Sequence, residues 1–199
     1  MKLYTKTTTS LLFVVLCIFS YLYSKGDIIY FSLLLAGLLC SLLGDVFLGI
    51  QSKDKRPLNK MFLLGLISFS FTHIFYISSF NYIYPLNIKD ILFSLFMILI
   101  IIAFLISRKN FNFQGFFIPT CIYSILISLM FCKCISTSLF LGRSIVSLLL
   151  ILGSTLFVIS DIILSFIVFD GKNTNYISIL NLTTYYIGQF LIASTVIFM

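Results

Sequence analysis

The sequence predicts an all-α fold: a polytopic transmembrane bundle of about seven helices, forming one integral membrane domain over residues 1–199. Three observations carry this. Hydrophobic residues make up 60% of the chain and charged residues 10%, against roughly 25% charged in soluble domains. Mean hydropathy is +1.15. Apolar runs of about twenty residues recur, the length a helix needs to cross about 30 Å of hydrocarbon, whereas a transmembrane barrel would show short alternating segments.

The first apolar segment, Ser10–Tyr23, follows Lys2 and Lys6. Its basic flank is that of a signal peptide, but Ser20-Tyr21-Leu22-Tyr23-Ser24-Lys25 offers no small-x-small cleavage site, so it reads as a retained helix. Ile28–Ile50 and Met61–Phe80 are full-length spans. Ile91–Ile106 is short and, like the first segment, must draw on flanking polar residues. In Phe113–Cys132, Pro119 is expected to kink the helix near its start by removing a backbone hydrogen bond. Arg143–Phe169 is long enough to tilt, and Tyr176–Phe198 closes the set.

The net charge of +7 lies between these runs, where it orients helices and meets anionic head groups; it is not a nucleic-acid footprint. One set of ends carries Lys2, Lys6, Lys53, Lys55, Arg56, Lys60, Arg108, Lys109 and Lys172, nine basic residues; the other carries Lys25, Lys89, Lys133 and Arg143, four. This bias puts the N-terminus and the Gln51–Lys60 loop in the cytoplasm and the C-terminus outside a cell membrane. All six acids are Asp. Asp27, Asp54, Asp90 and Asp170 fall in connecting segments near Lys and read as solvated loop charges. The five cysteines form no CxxC pair and no zinc spacing; Cys132-Lys133-Cys134 reads as a helix end whose thiols fill helix contacts.

Asp45 and Asp161 stand inside apolar runs, as does the only histidine, His73. A carboxylate at the bilayer centre costs roughly 2.5–3.5 kcal/mol on insertion scales, so such residues face a cavity or a partner. Helical spacing supports one shared pocket. Gly37, Ser41 and Asp45 recur every four residues with Gly44 beside them; Ser154, Phe157, Asp161 and Ser165 form a similar stripe; Gly65, Ser68, Thr72 and His73 share a side. Asn181, Thr184, Tyr185, Gly188 and Gln189 give the most polar intramembrane surface, with Tyr186 next to it, and Lys6 sits at the mouth. Two carboxyls in a low-dielectric pocket divide their roles, one holding a proton and the other ionised, which is the arrangement for acid/base cleavage of an acetal-like bond. The residues alone leave open a proton or cation path, and a metal held by Asp45, His73 and Asp161, although no HxxxD or HxxE spacing is present; no metal or cofactor is expected. No GxSxG element and no phosphate-cradling glycine loop occurs.

These residues also resemble a known family. Leu39-Cys40-Ser41-Leu42-Leu43-Gly44-Asp45-Val46-Phe47-Leu48 resembles the SLLGD signature of the YhhN family, the lysoplasmalogenases. Gly65 through Thr72-His73-Ile74-Phe75-Tyr76 is similar to its next helix, Gly153, Phe157 and Ser160-Asp161 to its GxxxFxxSD helix, and Thr184-Tyr185-Tyr186-Ile187-Gly188-Gln189-Phe190-Leu191-Ile192 to its closing segment. The resemblance implies hydrolysis of the vinyl ether bond of a lysoplasmalogen to a fatty aldehyde and a glycerophospho-alcohol. It implies Asp45 and Asp161 as the catalytic pair, with Lys6, Ser41, His73, Ser160, Tyr185, Tyr186 and Gln189 around a lysophospholipid drawn from membrane lipids. The alternatives are a lipid-binding or transport protein using the same pocket, or a proton-coupled carrier, for which an inverted repeat is expected and none is visible.

The charge bias makes a direct prediction. Asp54→Cys should resist a membrane-impermeant thiol reagent applied to intact cells; labelling from outside would reverse the topology.

Overall fold

The computed structural model describes residues 3–53, 58–171 and 174–199. It is all-helical among those residues: α1 Leu3–Ser24, α2 Ile28–Lys53, α3 Lys60–Ile83, α4 Ile88–Ser107, α5 Phe117–Leu141, α6 Ile145–Phe169 and α7 Asn175–Ser194, followed by a 3-10 turn, Thr195–Phe198. The first six are long and apolar enough to cross a membrane. α7 falls short of that measure because it carries the polar stripe of Asn181, Thr184, Tyr185 and Gln189. Lys2, the residues 54–57 of the basic loop, and Lys172 lie outside the described residues.

Helix ends follow local chemistry. Asp27 Oδ1 accepts from the Ile29 and Tyr30 amides at 2.8 and 2.9 Å and so starts α2. The Tyr30 amide holds the Asp27 carboxyl below its usual range, and Tyr82 donates to its other oxygen at 2.8 Å. Asn59, Asn87, Ser144 and Thr174 cap α3, α4, α6 and α7 with their side chains. The expected boundaries shift most on two helices, α1 and α5. α1 begins a turn and more before Ser10, which brings Lys6 onto the helix. α5 starts at Phe117, so Pro119 sits in its first turn, before the first helical hydrogen bond, from the Thr120 amide to the Phe116 carbonyl. It removes no bond there, and the expected kink loses its cause.

Six helices form a closed ring in the order α1, α2, α3, α5, α6, α7, while α4 packs chiefly on the outside of α5. Small residues set the ring's tightest crossings. A Cβ on Gly188 would lie 2.8 Å from the Gly153 carbonyl oxygen, so α6 and α7 approach backbone to backbone. A Cβ on Gly37 or Gly44 would run into the Tyr76 or Phe69 ring, so α3 aromatics lie directly on α2. The core uses Phe13, Tyr30, Leu34, Leu38, Tyr76, Phe80, Met130, Leu150, Phe157 and Ile192. A second, mainly aromatic cluster, Phe62, Leu105, Phe111 and Phe169 with Phe104, Phe113, Phe116 and Phe166, lies at the end bearing the α4–α5 turn.

At the opposite end two loop assignments are overturned. Asp90 and Lys133 are both buried, and Lys133 Nζ donates to Asp90 Oδ2 and to the Pro85 carbonyl, each at 3.1 Å. α5 runs eight residues beyond Lys133, to Leu141, which places the lysine within a span and not in a loop. Asp90 also accepts from the Asn87 amide at 3.1 Å, closing a capping box, and the ammonium lies 4.7 Å from the centre of the Tyr84 ring. The pair therefore pins the start of α4 to α5. Cys132 and Cys134 are buried beside it as free thiols, Cys134 donating to the Leu150 carbonyl at 3.2 Å, so they lie within the helix and not at its end. Without Lys133, the basic residues counted for this side reduce to Lys25, Lys89 and Arg143.

Lys133→Met strands a buried carboxylate and should lower stability by about 3–5 kcal/mol. Adding Asp90→Asn should restore part of it in thermal or denaturant unfolding. A single variant as stable as the parent would contradict the buried pair.

Candidate active site

α2, α6 and α7 meet α1, α3 and α5 around a cavity of about 330 Å3, at the end of the bundle that carries the start of α1 and the α4–α5 turn. That size is at the small end of ligand pockets. Most of its lining is apolar, and α4 and α6 supply the larger part of that apolar wall, including Met97, Ile100, Ile101, Phe104, Val158 and Ile162. Its polar groups are few: Lys6, Asp45, Thr120, Tyr123, Ser124, Ser160, Asp161, Ser165, Asn181 and Tyr185. Both intramembrane carboxyls thus face one space, close enough for their charges to interact.

Asp45 arrives on the α2 face that the four-residue spacing predicted. Its Oδ2 accepts from Ser10 at 2.5 Å and from Tyr185 at 2.7 Å. The Lys6 ammonium, one turn before Ser10 on α1, is near enough to act on the same carboxylate. Behind Tyr185 the donors form a directed chain. Tyr185 spends its single proton on Asp45, so Ser41 donates to the Tyr185 oxygen at 2.6 Å. Gln189 Nε2 in turn donates to Ser41 at 2.7 Å, and Tyr76 donates to Gln189 Oε1 at 2.6 Å. Four groups from α2, α3 and α7, all buried, therefore point their hydrogens toward one carboxylate oxygen. Each link to the charged end is worth about 1.5–3 kcal/mol, and together they offset the cost of placing Asp45 in the bundle.

Asp161 is held differently. The Tyr123 hydroxyl on α5 donates to its Oδ2, and His73 Nε2 lies 3.1 Å from the same hydroxyl oxygen. His73 is fully buried against Tyr123 and Phe157, with ring centroids 5.1 and 5.2 Å away. Beside Asp161, Ser160 turns to α7: Asn181 Nδ2 donates to the Ser160 carbonyl at 2.7 Å and to its hydroxyl at 3.0 Å, and the Ser160 hydroxyl is bonded to the Asn181 carbonyl at 3.1 Å. This double clasp fixes the part of α6 from which Asp161 projects.

Of the residues singled out in the sequence, Asp45, Asp161, Lys6, Ser160 and Tyr185 line the cavity. Ser41, His73 and Gln189 lie behind its wall, fully buried, and act on the cavity through Tyr185 and Tyr123. Tyr186 packs at a tilt against Tyr185, with ring centroids 5.1 Å apart, and does not line the space. Among the described residues, no three His, Cys or Asp side chains gather as a metal centre. His73 and Asp161 instead meet through the Tyr123 hydroxyl, while Asp45 is held in a separate set of donors, Ser10 and Tyr185. Ser10 and Tyr123 were not anticipated. Tyr123 stands among Thr120, Ser124 and Ser128 on α5, a polar stripe at helical spacing that was the available signal.

The fold and cavity define an integral-membrane helical bundle with two carboxyls facing one intramembrane space. The chain belongs to the YhhN family, whose model matches residues 1–196. No curated protein and no solved structure gives a significant match.

Because Gly188 touches the α6 backbone next to Gln189 and Tyr185, Gly188→Ala should separate α6 from α7 and cost about 1–3 kcal/mol. The same variant should weaken the donor chain to Asp45. Unchanged thermal unfolding would show that this crossing is not tight.

Proposed function

We propose that the protein is a membrane-embedded hydrolase that cleaves the vinyl ether bond of a single-chain ether lysophospholipid, a lysoplasmalogen, to a fatty aldehyde and a glycerophospho-alcohol. The observation that carries this reading is the pair of carboxyls, Asp45 and Asp161, facing one largely apolar cavity. An alkyl chain fits against the α4 and α6 side chains, and the Lys6 end of the cavity suits an anionic phosphodiester. Family membership is consistent with it.

The chemistry needs a proton donor and a base and no nucleophilic side chain. A carboxyl delivers its proton to the carbon of the double bond one removed from the ether oxygen, breaking an O–H bond and forming a C–H bond. Positive charge develops as an oxocarbenium ion, which the second carboxylate stabilises while it takes a proton from attacking water. We assign the base to Asp45, whose Oδ2 accepts from two hydroxyls, and the acid to Asp161, whose Oδ2 accepts from Tyr123. The hemiacetal left by water attack then collapses. Its C–O bond to the glycerophospho group breaks, and that oxygen takes the proton Asp45 drew from water. The hemiacetal hydroxyl returns a proton to Asp161, which leaves the aldehyde and the free alcohol and resets both carboxyls. With the N-terminus cytoplasmic, as the basic bias indicates, the cavity opens toward the inner leaflet, and substrate comes from that leaflet.

Asp45→Asn and Asp161→Asn keep the side-chain size and remove the ionisable proton. Each should lower vinyl ether turnover by purified protein at least a hundredfold while leaving it folded and extractable. A saturated ether lysolipid of equal chain length should bind and inhibit without cleavage. An ester lysolipid should survive, because among the described residues no serine pairs with His73, whose one hydrogen-bond partner is Tyr123. Near-parental turnover in both variants, or ester cleavage at a comparable rate, would defeat the assignment; binding of the vinyl ether without turnover would make the protein a lipid carrier.

A further inference from the structure

Tyr123 has a place in the site that the paired-acid chemistry leaves unused. It is the one hydroxyl contacting Asp161 among the described hydrogen bonds, it lines the cavity, and its oxygen has a second partner in His73 Nε2 at 3.1 Å. A tyrosine hydroxyl has one proton. That proton goes to Asp161 Oδ2, so the bond from His73 must run the other way, with Nε2–H donating to the Tyr123 oxygen. His73 Nδ1 is buried and has no hydrogen-bond partner. A proton there would be an unpaired buried donor, which folded proteins avoid more strictly than an unpaired acceptor. Both halves of the ring therefore call for the same tautomer, protonated at Nε2 and bare at Nδ1.

We propose that His73 and Tyr123 form a one-way positioning relay for Asp161, His73 fixing the direction of the tyrosine hydroxyl and Tyr123 fixing which carboxyl oxygen carries the transferable proton. The inference rests on Asp161 being the acid of the reaction proposed above. With Oδ2 occupied by the incoming O–H of Tyr123, the proton resides on Oδ1. When that Oδ1–H bond breaks and the C–H bond forms, negative charge appears on Asp161 and the Tyr123 bond becomes charge-assisted, a gain realised mainly in the transition state. Tyr123 and His73 act through Asp161 and exchange no proton with the substrate, so the relay is restored unchanged once Asp161 regains its proton as the hemiacetal collapses.

The chain contains a single histidine, so its ring nitrogens can be observed without assignment work. In the full-length protein labelled with 15N-histidine and held in lipid nanodiscs, NMR should find the proton on Nε2 and none on Nδ1. Tyr123→Phe, which removes the acceptor, should shift the Nε2 signal or release the tautomer. A proton on Nδ1, or a spectrum that Tyr123→Phe leaves unaltered, overturns the relay. Kinetics test its consequence: Tyr123→Phe should lower kcat roughly a hundredfold with KM changed by less than about threefold. His73→Gln, which keeps an N–H near the Nε2 position, should retain more activity than His73→Leu. Tyr123→Phe with His73→Leu should be no slower than Tyr123→Phe alone, because the histidine acts only through the tyrosine. Losses that multiply would show independent roles and defeat the proposal. If Asp161→Asn abolishes turnover while Tyr123→Phe preserves it, the relay fails and the proposed reaction stands. If the unmodified protein has no vinyl ether activity, the reaction fails, and the histidine spectrum still decides whether the relay exists.

Discussion

A carboxyl in a helical bundle must be supplied with hydrogen-bond donors from other helices, and that requirement organises this molecule. Asp45 collects Ser10 from α1 and Tyr185 from α7, and through Tyr185 it reaches Ser41, Gln189 and Tyr76 from α2, α7 and α3. Each donor reaches only if the helices come close, so glycine stands at the crossings: Gly37 and Gly44 beneath α3 aromatics, Gly153 and Gly188 between α6 and α7. The ring of α1, α2, α3, α5, α6 and α7 is the packing solution that lets both carboxyls be satisfied around one cavity. In membranes, where burial of apolar surface supplies little drive for helix association, close packing and such polar links carry more of the specificity.

The two carboxyls differ in kind. Asp45 has two hydroxyl donors on one oxygen and a nearby lysine; Asp161 has one tyrosine, itself held by the buried His73. Unequal surroundings for two like groups are what acid/base division of labour requires. The apolar wall from α4 adds the other element. α4 is pinned at its start by Asp90 and Lys133, and near its end Phe104 packs on Phe111 and Phe166 beneath the Arg108 guanidinium. Its inward residues close one apolar side of the cavity.

The bundle was legible because lipid-grade helices announce themselves by length and composition. The Gly37, Ser41, Asp45 face was legible because helical spacing puts every fourth residue on one side, and the polar stripe of α7 because Asn181, Tyr185 and Gln189 stand out in an apolar run. What one helix could not disclose was pairing across helices. Tyr123 meets His73 and Asp161 only once α3, α5 and α6 are placed side by side, and nothing in its own segment marks its hydroxyl as the shared partner. Lys133 was misplaced for a related reason: a lysine among cysteines near an apparent segment end reads as a loop charge until Asp90 is seen across the α4–α5 contact. Pro119 was misread by a shift of boundary, since the same residue that breaks a helix interior is harmless in its first turn.

Reaction in heavy water tests the acid step most directly, because the proton delivered by a carboxyl must come from a group that exchanges with solvent. Under conditions that exclude later exchange, vinyl ether cleavage by the purified protein should place one deuterium on the carbon next to the released aldehyde. An aldehyde carrying no solvent deuterium would contradict protonation at carbon, and with it the paired-carboxyl reaction.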